Sequence, residues 1–401
     1  MSCYVPVPLN RVQLGNTLPV DVWCPDGRLL PRKGQLLQSE EHRDTLARHQ
    51  ACMTQADALA WQRSLDRMLR TLRYEGANMA QIAEAPMPGE IVESDYHECQ
   101  RVEGGWLDMQ EILRGLLYHG QNATHLLARL EGIEQKVLTL MHKDSDEGLF
   151  ILFQALHDLS LGYCATHALL VGMVGVLTAE KLALAPQTLL LRSALVMNIG
   201  MAILQDELAL QTRSLSAEQR RLIKSHPANS VEILQSLGVK DPHLLDIVLW
   251  HHAPEGSALQ GDLMAGLRLL NLADVLVAKM APRKTRAAML PLGAAKSMVL
   301  AHTETTATFR QAMVAALGFY PPGTYVQLAN GETAVSISRG GRATTPHVAS
   351  IVNTDGMPLS KYTYHDTSQS PFAVRKPVSA DLVNIHVNQD KISRMRQQQG
   401  V

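Results

Sequence analysis

The sequence predicts a mainly α protein with small β regions near both ends. Helical apolar periodicity runs almost without interruption from Leu149 to Leu317, broken only by short polar joints. Apolar residues make up 46% of the chain but aromatics only 4%, so Leu, Ala, Val and Met must fill the core, as in packed helices. Turn signals between β-rich runs occur twice, at Pro25-Asp26-Gly27 and at Asn330-Gly331.

Taken in order, residues 15–38 read as a small β hairpin or β subdomain folded about Pro25-Asp26-Gly27. Ser39-Glu40-Glu41 opens a helix running towards Gln50, and Asp57 to Tyr74 is a second, amphipathic one. This first region, 1–75, is expected to be sensory or regulatory. Residues 76–105 are rich in Gly, Pro and acids, the composition of a linker.

The helical domain is expected over 106–318, with its core at 150–318. Two helices fit between Trp106 and His142, and Asp144 to Gly148 reads as a break. A capping box at Ser216-Ala217-Glu218-Gln219 starts a helix that Gly238 is placed to end. Beyond Pro321-Pro322-Gly323 the texture turns to strands: TYVQL and ETAVSIS flank Asn330-Gly331, and Val348 to Val352 suggests a third strand. A β-hairpin extension over 319–366 and a loosely held polar tail over 367–401 complete the expectation. No internal repeat is evident.

Charge and cysteines narrow the function classes. The 37 basic and 38 acidic side chains nearly cancel, which argues against a nucleic-acid polymer as partner. Five scattered cysteines (Cys3, Cys24, Cys52, Cys99, Cys164) form no CxxC pair and suit a reducing compartment. The N-terminus lacks an apolar signal region, and the apolar run Thr188 to Leu204 carries Arg192 and Asn198, so a buried helix explains it better than a membrane span. A cytoplasmic protein is expected.

The chemistry concentrates between Leu189 and Asp274. Histidines are the side chains to watch, since imidazole is the commonest transition-metal ligand. The candidates are His157, His167, His226, His251, His252 and His302. Adjacent histidines on a helix point roughly 100° apart, so His251 and His252 reach one centre only near a helix end. Ala253-Pro254-Glu255-Gly256 supplies such an end. A lone histidine is more often capped or satisfied in a core than a ligand, and that bland reading suits His167 best, with a backbone partner.

The order of these segments resembles the HD-GYP branch of the HD-domain phosphohydrolases, over roughly Phe150 to Gly331. His167 matches the first family histidine, and Met197-Asn198-Ile199-Gly200-Met201 stands at the HD phrase. Lys224-Ser225-His226-Pro227 matches the next, then Trp250-His251-His252, and Leu272-Ala273-Asp274-Val275 the last. The resemblance implies a two-metal cyclic di-GMP phosphodiesterase centre, and partners such as diguanylate cyclase-type domains or a second copy of the chain.

The departures are as specific as the matches. Met197-Asn198 replaces His-Asp, Met201 replaces a lysine, and Tyr163 stands where some members carry a glutamate. The Gly-Tyr-Pro loop is missing, and a short connection, Pro254 to Gly266, takes its place. His157-Asp158 spells the dipeptide but precedes the first-histidine helix.

A neutral amide is a poor bridge between two cations, and a thioether is unsuited to Fe or Mn. The position built from His167, Met197, Asn198 and Asp274 is therefore expected to have lost its metal. His226, His251 and His252 could still hold one Fe, Mn or Zn ion, or none. Asp274 could instead accept hydrogen bonds from neighbouring helices. Lys224, Arg283 and Arg286 are candidate phosphate contacts, the last two within a basic cluster with Lys284 whose default reading is a solvated loop. The expected function is a degenerate signalling module with lost or much reduced phosphodiesterase activity, working through ligand or partner binding. The alternative is an active phosphodiesterase using the three-histidine site.

Overall fold

The computed structural model describes residues 4–24, 29–74, 81, 85–91, 104–185, 187–299 and 306–401. The Pro25-Asp26-Gly27 turn, His302, Cys3, Cys99 and most of the expected linker lie outside the described residues. The chain divides into two compact units, residues 1–102 and 103–401.

In the first unit, strand β1 (Tyr4–Pro6) pairs antiparallel with β2 (Cys52–Thr54). Residues 15–38 do fold back on themselves, through bridges Thr17 to Leu36 and Trp23 to Leu29. Helix α1 (Glu40–Arg48) starts at Ser39, whose side chain accepts the His42 N–H, and α2 (Gln55–Tyr74) follows β2. Leu18, Val20, Val22, Leu37 and Trp61 pack between these pieces as one core.

The second unit is a helical bundle carrying a sheet. Its helices are α3 (Trp106–His119), α4 (Leu126–Lys143), α5 (Ser145–His157), α6 (Tyr163–Lys181), α7 (Gln187–Val196), α8 (Ala202–Leu210), α9 (Ala217–Ser236), α10 (Pro242–Trp250), α11 (Gly261–Met280), α12 (Pro291–Val299) and α13 (Ala307–Leu317). The expected break at Asp144 to Gly148 shrinks to a single residue. Asp144 accepts the Glu147 N–H and so caps α5 directly.

Helix α6 is the hub, packed against α3, α5, α7, α11 and α13. Every residue from Tyr163 to Ala179 is buried, which explains why it is apolar all round. It is long and apolar enough to cross a membrane, yet its most apolar window is 94% buried within the bundle.

The C-terminal region exceeds the expected hairpin. Strands β3 (Tyr325–Leu328), β4 (Thr333–Ser338), β5 (His347–Val352), β6 (Pro358–Asp366) and β7 (Val374–Val378) form an antiparallel sheet in the order β6-β5-β4-β3-β7. Gly331 makes the β3–β4 turn at φ 95°, as the Asn-Gly signal requires. Residues 367–401 are not a loose tail: β7 pairs with β3, and α14 (Gln389–Gln399) packs on the sheet. Ile392 is buried with Val335, Ile337 and Phe150, and Arg396 reaches Asp144 at 2.7 Å. Buried positions in this otherwise polar stretch are few and widely spaced, Thr367, Val387, Ile392 and Arg396, and so are easily missed.

Candidate metal centre

The site begins with a backbone defect. Helix α9 opens with the expected capping box, Ser216 and Gln219 satisfying each other's N–H groups. Pro227 then sits inside the helix and has no N–H for the carbonyl four residues back, that of Ile223. The His226 ring takes that place, its Nδ1 lying 2.5 Å from Ile223 O.

A parallel device holds His251. Helix α10 ends at Trp250, as the Ala-Pro-Glu-Gly stop suggested, so the carbonyls of its last turn lack helical donors. His251 Nδ1 lies 2.7 Å from Val248 O. Asn271 of α11 fixes the backbone at the same point, donating to His251 O at 2.7 Å.

These two bonds settle which nitrogen faces inward. A carbonyl accepts only from N–H, so both rings carry their hydrogen on Nδ1 and present a bare Nε2. The two Nε2 atoms lie 3.2 Å apart. Burial holds His226 down at about 4 and, with His252 beside it, His251 at about 3, so both are neutral near pH 7. Two lone pairs facing each other at that separation repel unless a cation lies between. His252 joins them: one ring nitrogen from each of the three histidines lies within 4.8 Å of the others.

His252 is the exposed member, its side chain 46% accessible, and its Nδ1 is 3.5 Å from Asp274 Oδ2. The other oxygen, Oδ1, lies 2.8 Å from His167 Nε2, and His167 Nδ1 lies 3.1 Å from Tyr163 OH. His167 is thus a buried histidine as expected, but its partners are a carboxylate and a phenol rather than the backbone. Burial would raise the Asp274 carboxyl, yet the hydrogen bond from His167 and the nearby imidazoles hold it at about 2. Burial pushes the Tyr163 phenol up to about 12, against the charge of Arg283, whose Cζ is 6.0 Å from the ring centroid.

The altered phrase lies under α9. Met197 is fully buried, and its carbonyl accepts from Ser230 Oγ at 2.8 Å. Ser230 in turn accepts the Gly200 N–H at 3.0 Å. Asn198 is 4% exposed, and its Oδ1 has no hydrogen-bond partner among the described residues. Such an orphaned acceptor is the kind of atom a bound water or ion ordinarily satisfies. Met201 is partly buried at the end of this turn.

The basic candidates separate. Arg283 comes to Tyr163, whereas Arg286 donates to Ala278 O and Ala281 O and so closes the end of α11. Lys224 is exposed, roughly 200° around α9 from His226 by helical geometry. His157, at the end of α5, bonds Phe153 O at 2.9 Å. Sequence reading missed Ser230 and Asn271, polar residues that lie beside the matched phrases but belong to none of them. Pro227 offered a signal, because a proline directly after a histidine in a helix frees a carbonyl for that ring.

No family model and no curated protein matches the chain. Among solved structures it is similar to Bd1817, a HDG"Y"P protein from Bdellovibrio bacteriovorus. That likeness covers 77% of this chain and 98% of the other, at 15% identity and a TM-score of 0.42. A likeness so distant carries no argument, and the functional reading rests on the residues above.

Proposed function

We propose that residues 103–401 are an HD-domain-like signalling module of the cyclic di-GMP kind that holds one divalent transition-metal ion. Its phosphodiesterase activity is lost or much reduced, and it works by binding a ligand or a partner. The observation that carries the metal is the Nε2 to Nε2 approach of His226 and His251, both bare and both neutral, with His252 alongside. Three imidazoles suit Zn or Fe, and Mn less well. Such an ion, when bound, would polarise a phosphoryl oxygen and acidify a bound water.

The loss of activity is supported by what surrounds His167. The neighbouring segment offers only an amide and a thioether, Asn198 and Met197, in place of a carboxylate able to bridge two cations. Losing one of two metals would cost orders of magnitude in rate. The second reading, an active one-metal cyclic di-GMP phosphodiesterase, is favoured by the exposure of His252. A cytoplasmic location, a diguanylate cyclase-type partner and a homodimer belong to the same proposal.

The test combines metal analysis, cyclic di-GMP binding and hydrolysis in Mn and Fe. About one ion per chain, lost in His251→Ala, with bound but uncleaved cyclic di-GMP is the expected result. A metal-free wild-type protein would sink the centre. Rapid turnover abolished by His251→Ala would replace the first reading with the second. Uptake of a second ion by the double variant Met197→His, Asn198→Asp would show that only those side chains are missing.

A further inference from the structure

We infer that Tyr163, His167 and Asp274 form an orienting relay for His252, with Tyr163 the positioning residue at its far end. His252 as a metal ligand rests on the reading above, whereas the relay itself rests on which atom donates to which.

Arg283 has only donors to offer, so beside Tyr163 it can address the phenol oxygen but not its hydrogen. The Tyr163 O–H is then free to donate to His167 Nδ1, 3.1 Å away. A ring that accepts at Nδ1 carries its hydrogen on Nε2, which faces Asp274 Oδ1 at 2.8 Å. The opposite tautomer would set a bare nitrogen against a carboxylate oxygen at that distance, two acceptors in contact inside the bundle. Asp274 Oδ2 lies 3.5 Å from His252 Nδ1, an electrostatic approach rather than a hydrogen bond, which favours a hydrogen on that nitrogen. A hydrogen on that Nδ1 leaves the His252 Nε2 lone pair to ligate, as carboxylate–histidine pairs do around metals.

The hydrogen bonds from Tyr163 through His167 to Asp274 thus run in one consistent direction, and His252 stands at their end by an electrostatic approach to Asp274. All three upstream members are buried: Tyr163 is 3%, His167 1% and Asp274 6% exposed. Removing the phenol hydroxyl leaves His167 Nδ1 without its donor and frees the ring to turn, and Asp274 then loses its anchor.

A control exists on the same bundle. The Tyr118 hydroxyl donates to Asp206 Oδ2 at 2.5 Å, and Asp206 Oδ1 accepts the Cys164 N–H at 2.6 Å at the start of α6. Tyr118→Phe removes a half-buried hydroxyl of the same bundle that bonds neither His167 nor Asp274.

The experiment uses the full chain with Zn(II) and Co(II) as probes. Tyr163→Phe should weaken Zn(II) binding about 10- to 100-fold and change the Co(II) absorption bands. Tyr118→Phe should lose stability while keeping both. Nitrogen-15 spectra of the metal-free wild-type protein should show His167 hydrogenated at Nε2 and His252 at Nδ1. A His167 hydrogen on Nδ1, or Tyr163→Phe with wild-type affinity and cobalt spectrum, would overturn the relay. If the wild-type protein takes up no metal, the metal reading falls, and the nitrogen spectra alone decide the relay. They do so equally if Tyr163→Phe does not fold.

Discussion

Pro227 shows how a single residue can trade stability for a ligand. Its ring breaks one helical hydrogen bond, and His226 uses the carbonyl that this leaves. Replacing it with alanine restores an N–H that competes with the His226 ring for Ile223 O. Pro227→Ala should therefore stabilise the metal-free protein, by up to ~3 kcal/mol, while loosening the imidazole. Urea denaturation of chelated protein and a Zn(II) competition titration should move in opposite directions. A variant that gains stability and keeps full affinity would show that the backbone defect is incidental to the site.

At the scale of elements, the centre depends on how closely the turn at Ile199–Met201 lies against α9. Gly200 is the contact: a Cβ there would sit 2.7 Å from Ser230 N and 2.8 Å from His226 O. Both are backbone atoms of a packed helix and cannot swing aside. Gly200→Ala is expected to cost about 1–3 kcal/mol and to weaken metal binding, because relief of the clash moves the His226 segment. Gly115, in the middle of α3, is the counterpart, since a Cβ there meets nothing within 4 Å. Gly115→Ala should stabilise by about 0.5–1 kcal/mol and leave the site alone. Thermal and chemical denaturation of the two variants, with metal affinity, separate close packing from helix propensity.

At the scale of the whole 103–401 unit, bundle and sheet are one folding problem. Gln154 of α5 donates to Gly323 O at 2.5 Å and accepts from Tyr325 OH at 3.0 Å, joining the two across a long stretch of chain. The last helix adds Ile392 to the buried cluster under the sheet and sends Arg396 to the residue that caps α5. Ile392→Ala is therefore expected to cost about 2–4 kcal/mol, the penalty of a core truncation rather than of a tail change. A loss below about 0.5 kcal/mol in urea denaturation would mean that α14 contributes nothing to the unit.

The helical class, the starts at Ser39 and Ser216, the presence of a helix end beside His251-His252 and the Asn330-Gly331 turn are all legible in the sequence, because propensity, capping and turn chemistry act over a few neighbouring residues. The sequence also marked His226, His251, His252, His167 and Asp274 as residues to watch. What each of them touches follows from the folded chain alone. That His167 meets Asp274 and Tyr163, that two bare nitrogens face each other, and that polar residues 374–399 belong to a sheet and a docked helix are long-range pairings. Local patterning carries no information about them, since each partner is equally at home on a solvated helix until the fold brings its counterpart within bonding distance.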